Sequence, residues 1–188
     1  LEEVAAGTPG SPPREWNPGG FDLQGAVKSE MVRGLKPMLP VLLPRPFDRR
    51  GWLFEIKWDG YRAMAEVADG QARVYSRNLL SLEERFAPVV HSLRQLKHRA
   101  VLDGELVVVD GEGRANFEWL QNYPRSTPTS GGGQLVYYLF DLLHLDGYDL
   151  CPLPLRRRKE ILQSLLQSLL KSTVPPLPHL RLSEHLEE

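Results

Sequence analysis

One short run, Phe54-Glu55-Ile56-Lys57-Trp58-Asp59-Gly60-Tyr61-Arg62, holds residue types that can do covalent chemistry. On a strand, side chains alternate, so Glu55 and Lys57 share a face and Ile56 points away. A lysine at the inner end of such a strand, next to aromatic residues, loses hydration. Desolvation lowers an amine pKa, and a neighbouring cation such as Arg62 lowers it further. A lysine attacks only as the neutral amine, so this setting is how one is activated. The same residues also suit a plainer arrangement, a solvated Lys–Glu pair on a strand surface, or an Arg62–Glu55 pair across a hairpin. Downstream, Glu105 shares a strand face with Val107 and Val109, and a half-buried acid without a partner is costly. It is either a structural acid or a ligand-binding one. Phe140 lies in an apolar strand, and Arg77-Asn78 follows another strand as a polar turn.

The elements that must position these residues can be read from pattern. Trp52–Lys57 and Tyr61–Val67 read as two strands joined in a hairpin at Trp58-Asp59-Gly60. Ala72–Ser76 is a third strand. Ser81 with Glu84 makes a capping-box pattern opening a helix to about Leu96, with Phe86, Val89, Val90 and Leu93 on one face. Ala100–Asp110 is a long β-rich segment and Phe117–Asn122 a short helix. Pro124–Gly133 is a polar, Gly-rich loop, expected to be mobile. Leu135–Leu143 is an apolar strand ending before Asp146-Gly147. A helix follows from about Leu155, with Ile161, Leu162, Leu165, Leu166, Leu169 and Leu170 forming one stripe until Pro175-Pro176. Leu180–Leu182 reads as a last strand. Hairpins with a few helices give an α+β class with mainly antiparallel sheets and flanking helices.

Composition limits the alternatives. The chain has 188 residues, enough for one domain with a buried core. Lys and Arg total 23 against 24 Asp and Glu, so any nucleic-acid contact must come from a local patch. A single cysteine, Cys151, excludes an internal disulfide and a Cys-based zinc site. No apolar run is long enough to span a membrane. Residues 1–35 carry breakers such as Thr8-Pro9-Gly10-Ser11-Pro12-Pro13 and read as a flexible interdomain linker. An arm packed on the domain through Trp16 and Phe21 is the alternative. Order is expected from about Lys36. The basic run Arg156-Arg157-Arg158-Lys159 opens a helix, where cations oppose the helix dipole. It reads as a solvated face, with a phosphate-backbone contact as the second option. His144 and Cys151 read as structural.

Lys57-Trp58-Asp59-Gly60-Tyr61-Arg62 matches the K-x-D-G-x-R signature of the covalent nucleotidyltransferases, namely DNA ligases, RNA ligases and mRNA capping enzymes. Further elements follow in that family's order: Ser76-Arg77-Asn78, Leu102-Asp103-Gly104-Glu105-Leu106, and Tyr138-Leu139-Phe140-Asp141-Leu142-Leu143. The wording around Lys57, and Phe140 to Gly147, most resembles ATP-dependent DNA ligases of the bacterial ligase D type. Lys36-Pro37-Met38-Leu39 resembles the entry to their ligase domain, and the resemblance spans residues 36–188.

The resemblance implies a nucleotidyltransferase (ATP-grasp-like) adenylation domain that uses ATP with Mg²⁺ or Mn²⁺. It implies that Lys57 attacks the α-phosphate to form lysyl-AMP, which passes to the 5′-phosphate of nicked double-stranded DNA. Glu55 accepts from the adenine amino group, and the backbone at Ile56 helps to read the base. Arg62 and Arg77 lie near ribose and phosphate, Glu105 binds the ribose hydroxyls with a metal ion nearby, and Phe140 stacks on the adenine. Arg77 and Asn78 face the DNA 5′-phosphate. Polymerase and phosphoesterase domains of the same full-length chain, a cytoplasmic, nucleoid-associated setting and a role in break repair go with it.

The family's E-G-hydrophobic-x-x-K and K-x-K elements do not occur after Ser183. Weak ATP binding and slow or absent self-adenylation are therefore expected of this chain. An RNA ligase, a capping-type enzyme, or a truncated non-catalytic binding module remain the other readings.

Overall fold

The structure is a computed structural model that describes residues 20–124, 133–173 and 177–187. Among these residues, nine strands and three helices form. They are β1 (Val27–Lys28), β2 (Leu53–Glu55), β3 (Tyr61–Ala68), β4 (Gln71–Ser76), α1 (Ala87–Leu93), β5 (Ala100–Val109) and α2 (Phe117–Asn122), followed by β6 (Gln134–Leu145), β7 (Tyr148–Asp149), α3 (Leu155–Ser172), β8 (Leu180–Leu182) and β9 (His185–Glu187). The main sheet runs β1-β7-β6-β5-β3-β4, with β8 beside β6, and β2 pairs with β9 in a separate small sheet. Pairing is antiparallel except between β6 and β8. The α+β class with mainly antiparallel sheets is the architecture observed.

Two hairpins have two-residue turns, Asp69-Gly70 between β3 and β4 and Asp146-Gly147 between β6 and β7. All four residues have positive φ, the conformation that matches a tight turn to strand twist.

Strand β5 explains where the site lies. Ala100, Leu102, Leu106 and Val108 turn toward a core shared with Val89 and Leu93 of α1 and with Leu162 and Leu165 of α3. Val107 and Val109 turn the other way and pack with Val136, Tyr138 and Trp58. Both faces of the strand are covered, hence its almost unbroken apolar run. Asp103 and Glu105 are the polar exceptions, and they fall on the face away from α1.

Several expectations need correction. β2 does not form a hairpin with β3. It ends at Glu55 and pairs with β9, through Leu53↔Glu187 and Glu55↔His185. Trp58-Asp59-Gly60 is the crossing between two sheets. Its indole stacks on Tyr138, with centroids 3.8 Å apart and planes 11° apart, and donates to Ser183 Oγ at 3.0 Å. The Ser81–Glu84 capping box is not made. Ser81 bridges back to Tyr75 of β4, and the helix starts only at Ala87, with Pro88 in its first turn and no side-chain cap. A proline there lacks only an N–H that would be unpaired anyway.

Order begins before Lys36. β1 pairs with β7, Phe21, Leu23 and Ala26 pack on the main core, and the Gly34 N–H donates to Glu66. For residues 20–35 this is the packed arm, with Phe21 as an anchor. Trp16 lies outside the described residues, as do residues 125–132 of the loop expected to be mobile. No helix among the described residues is long and apolar enough to cross a membrane.

Gly60 is required by close approach. A Cβ built there would lie 2.2 Å from the Leu106 carbonyl oxygen and 2.7 Å from a Val107 methyl. The neighbour is backbone and cannot swing aside, so the crossing strand must move. Gly60→Ala is expected to destabilise the fold by about 1–3 kcal/mol, the usual range for overpacking, read as a lower urea midpoint. An unchanged midpoint would contradict the close approach.

Candidate functional site

Arg62, Glu105, Asp103 and Phe140 meet on neighbouring strands. Arg62 of β3 is the register partner of Glu105 on β5. Its guanidinium instead forks onto Asp103, with Nε–Oδ1 at 2.6 Å and Nη2–Oδ2 at 2.7 Å. It also lies 4.4 Å over the Phe140 ring. Two parallel donors on a carboxylate fix the guanidinium plane, and the pair exposes only 5% of the Asp103 side chain. Burial pushes the Asp103 carboxyl above its ordinary range, with Arg62 opposing the rise. Asp103 also faces Asp141 across β5 and β6. Asp141 has its own fork, from Arg158 at 2.8 Å on both oxygens. Each buried-side acid is thus neutralised by a separate arginine.

Glu105 has no such fork. Burial raises its carboxyl to about 7, and the Arg62 and Lys57 cations pull it back only in part. That interaction places the Lys57 ammonium within electrostatic reach of Glu105. Lys57 itself is exposed and lies past the end of β2. The desolvated lysine expected from the sequence is therefore not found: the aromatic neighbour Trp58 turns to Tyr138 instead of covering it. Ile56 is 60% exposed. Arg77 and Asn78 are exposed in the turn after β4, where the Asn78 and Leu80 N–H groups donate to Ser76 Oγ. Ser76 pairs with Ala63, so Arg77 sits at the same end of the sheet as Arg62. Among the described residues it makes no ion pair. Asn78 does not join the Arg62 cluster.

The arrangement thus gathers an exposed amine, a fixed guanidinium, a carboxyl without an ion pair among the described residues and an aromatic ring beside the start of β3, over the middle of β5 and β6. These can bind a phosphorylated, base-bearing ligand and offer a nucleophile to its phosphorus. Residues 37–177 match the model of the ATP dependent DNA ligase domain. The chain belongs to the ATP-dependent DNA ligase domain family.

Among its relatives is the multifunctional non-homologous end joining protein LigD of Pseudomonas aeruginosa. It is 38% identical over 141 residues, covering 74% of this chain and 16% of that protein. The LigD of Mycobacterium tuberculosis (strain H37Rv) is 36% identical over 128 residues, covering 67% and 16%. The solved ligase domain of M. tuberculosis LigD superposes with a TM-score of 0.58 at 28% identity, over 72% of this chain and 40% of that one. A mycobacterial DNA ligase D complexed with ATP and MES gives 0.55 at 30% identity, over 71% and 40%. This chain therefore spans less than half the length of these relatives.

In this ligase-family chain the basic run at the start of α3 is a solvated face only in its first half: Arg156 stays exposed and Arg157 partly so, while Arg158 and Lys159 turn inward. Arg156 pairs with Glu187 at 2.7 Å, and Arg157 pairs with Asp22 at 2.7 Å and with Glu160. Arg158 holds Asp141. Lys159 is 2% exposed, and its Nζ donates to Glu55 Oε1 at 2.5 Å and to the Phe140 carbonyl at 2.8 Å. These carboxylates offset cations that the helix dipole disfavours. Among the described residues Glu55 thus pairs with Lys159, and not with Lys57 or Arg62 as the two plainer arrangements had it. Lys159 is marked by no motif, its one signal being a run of cations at the unfavourable end of a helix; Asp141 is marked only as part of the Phe140-Asp141-Leu142-Leu143 element.

For metal, Glu105 is the residue that fits. A hard cation such as Mg²⁺ is typically held by one or two carboxylates together with ligand phosphates and water. A group of three metal-binding side chains does not occur among the described residues.

The raised Glu105 carboxyl has a stability consequence. The folded chain holds this proton up to about 7, against an ordinary 4.5. Its contribution is fully present below the lower value and is lost as pH rises through the upper one. Glu105→Gln removes the titration. Between about pH 5 and about pH 8 its melting temperature should fall less than the parent's. Parallel profiles for the two proteins would contradict the assignment.

Proposed function

We propose that this chain is the N-terminal part of an ATP-dependent DNA ligase adenylation domain, reaching from residue 36 and led in by residues 1–35. The observation that carries this reading is the grouping of Lys57, Arg62, Glu105 and Phe140 beside the start of β3, on the face of the main sheet away from α1. Lys57 Nζ, once deprotonated, forms a P–N bond to the α-phosphorus of ATP, and the bond to pyrophosphate breaks. The amine is in water, so its proton leaves to solvent, and what the protein contributes is position. Arg62, held flat by Asp103, donates to ribose and phosphate oxygens. Arg77, without an ion pair among the described residues, serves phosphate on ATP or on DNA, with Asn78 beside it.

Glu105, half protonated near neutral pH, can accept from or donate to a ribose hydroxyl. As the carboxylate it suits Mg²⁺ or Mn²⁺, which when bound neutralises charge on the phosphates. Phe140 offers a ring for the adenine, and Glu55 with the backbone at Ile56 reads its edge. AMP then passes to the 5′-phosphate of nicked double-stranded DNA. A polymerase and a phosphoesterase domain in the same protein, work in end joining, and a cytoplasmic setting at the nucleoid complete this reading. The names of the LigD relatives support it.

The test is direct. The chain should bind ATP weakly and in preference to GTP. On prolonged incubation with ATP and Mg²⁺ or Mn²⁺ it should gain one AMP slowly, seen by intact-mass spectrometry. Lys57→Ala should gain none. An adduct that persists in Lys57→Ala would remove Lys57 as the nucleophile, and tighter binding of GTP would move the reading to a capping-type enzyme.

A further inference from the structure

Lys159 lies four positions after Leu155, the first residue of α3, yet its ammonium is buried and engaged on both sides. One hydrogen bond goes to the Glu55 carboxylate and one to the carbonyl of Phe140. Those two contacts join the small sheet to the main one at the site. The Glu55 side chain remains 31% exposed, and among the described residues Oε2 has no partner. One oxygen is thus pinned, while the side chain as a whole stays partly open to solvent.

We propose that Lys159 is a positioning residue that sets which purine the site accepts. This rests on the reading of Glu55 as the residue that meets the base. An ionised carboxylate only accepts hydrogen bonds. Adenine presents an amino donor where guanine presents a carbonyl acceptor, so a fixed carboxylate pairs with the first and opposes the second. The discrimination depends on the carboxylate staying in place. A glutamate with three free torsions would turn toward water and lose both the attraction and the repulsion. Lys159 removes that freedom. Its own ammonium, 2% exposed and bonded to two oxygens, is out of a ligand's reach and does not offer guanine a donor. The bond to the Phe140 carbonyl ties the same ammonium to the residue whose ring Arg62 covers. One side chain therefore sets the distance between the edge reader and the ring.

The variant is Lys159→Met, of similar length and without charge. Replacing one buried partner is tolerable here because Glu55 can reach water once released. Binding of ATP and of GTP is measured by calorimetry on parent, Lys159→Met, Lys159→Arg and Glu55→Gln, with thermal melting to confirm folding. Loss of one charged hydrogen bond predicts a fall of roughly tenfold in the ATP-over-GTP preference for Lys159→Met. Lys159→Arg restores most of it. In a Glu55→Gln background, Lys159→Met changes the preference no further, because the lysine acts through the glutamate.

A merely structural lysine would weaken both nucleotides equally and leave the ratio alone, and that result overturns the inference. So does a folded Lys159→Arg that loses the preference. If Glu55→Gln alters the ratio and Lys159→Met does not, the base-reading role stands and the lysine's role falls. If the parent shows no preference, or Glu55→Gln leaves it unchanged, the reading of Glu55 falls and this inference with it.

Discussion

The fork between Arg62 and Asp103 is the contact on which the candidate site depends. An ionised carboxylate with 5% exposure is expensive unless paired and hydrogen-bonded. Asp103 is paired twice by one flat guanidinium, and that plane then lies over Phe140. Removing either partner would strand the other. The arginine is held flat as part of the sheet's own charge balance, before any ligand arrives. A donor whose orientation is already fixed loses less freedom on binding. The same fork repeats at Asp141 with Arg158, whereas at Glu55 with Lys159 it is the cation that is buried and needs its acid. Three acids on three strands are each answered by a cation, two of which, Arg158 and Lys159, come from the start of α3. Glu105 is the acid left without a fork, and its carboxyl rises accordingly.

Around this sits a sheet whose two faces do different work. The face toward α1 and α3 is apolar and closes the core. The opposite face carries Asp103, Glu105, Tyr138 and Phe140 in a row that only β5 and β6, lying side by side, can assemble. Close backbone approach makes the row compact. A Cβ at Gly104 would lie 2.5 Å from the Tyr138 carbonyl, so the Asp-Gly-Glu element brings its two acids against β6 with nothing between the backbones. Gly60 does the same for the crossing from the small sheet.

Much of this was legible in the sequence. The β-rich runs Tyr61–Val67 and Ala100–Asp110 marked strands, the leucine stripe of α3 marked a buried face, and the motif order grouped Lys57, Arg62, Glu105 and Phe140. What stayed hidden are pairings between distant segments. Nothing near Glu55 says that its strand joins His185–Glu187 and not the adjacent Tyr61, because strand partners are chosen by packing across the whole sheet. Nothing in a run of four cations says that the last one turns inward to meet a carboxylate over a hundred positions earlier in the chain. The Ser81 capping box failed for a related reason: a backbone bridge to β4 claimed that residue first. Trp58 likewise turned from the expected place beside Lys57 to stack on Tyr138, which left the lysine in water.

A nucleotide is expected to bind on the face of the sheet where these residues meet, beside the start of β3. The most direct test is to follow backbone and side-chain NMR resonances of the isotopically labelled chain as ATP is added. Saturable shifts at Lys57, Arg62, Glu105 and Phe140, with Asp69 and Asp146 at the far end of the sheet unmoved, are the predicted result. Shifts confined to that far end, or none at any ATP concentration, would contradict the account.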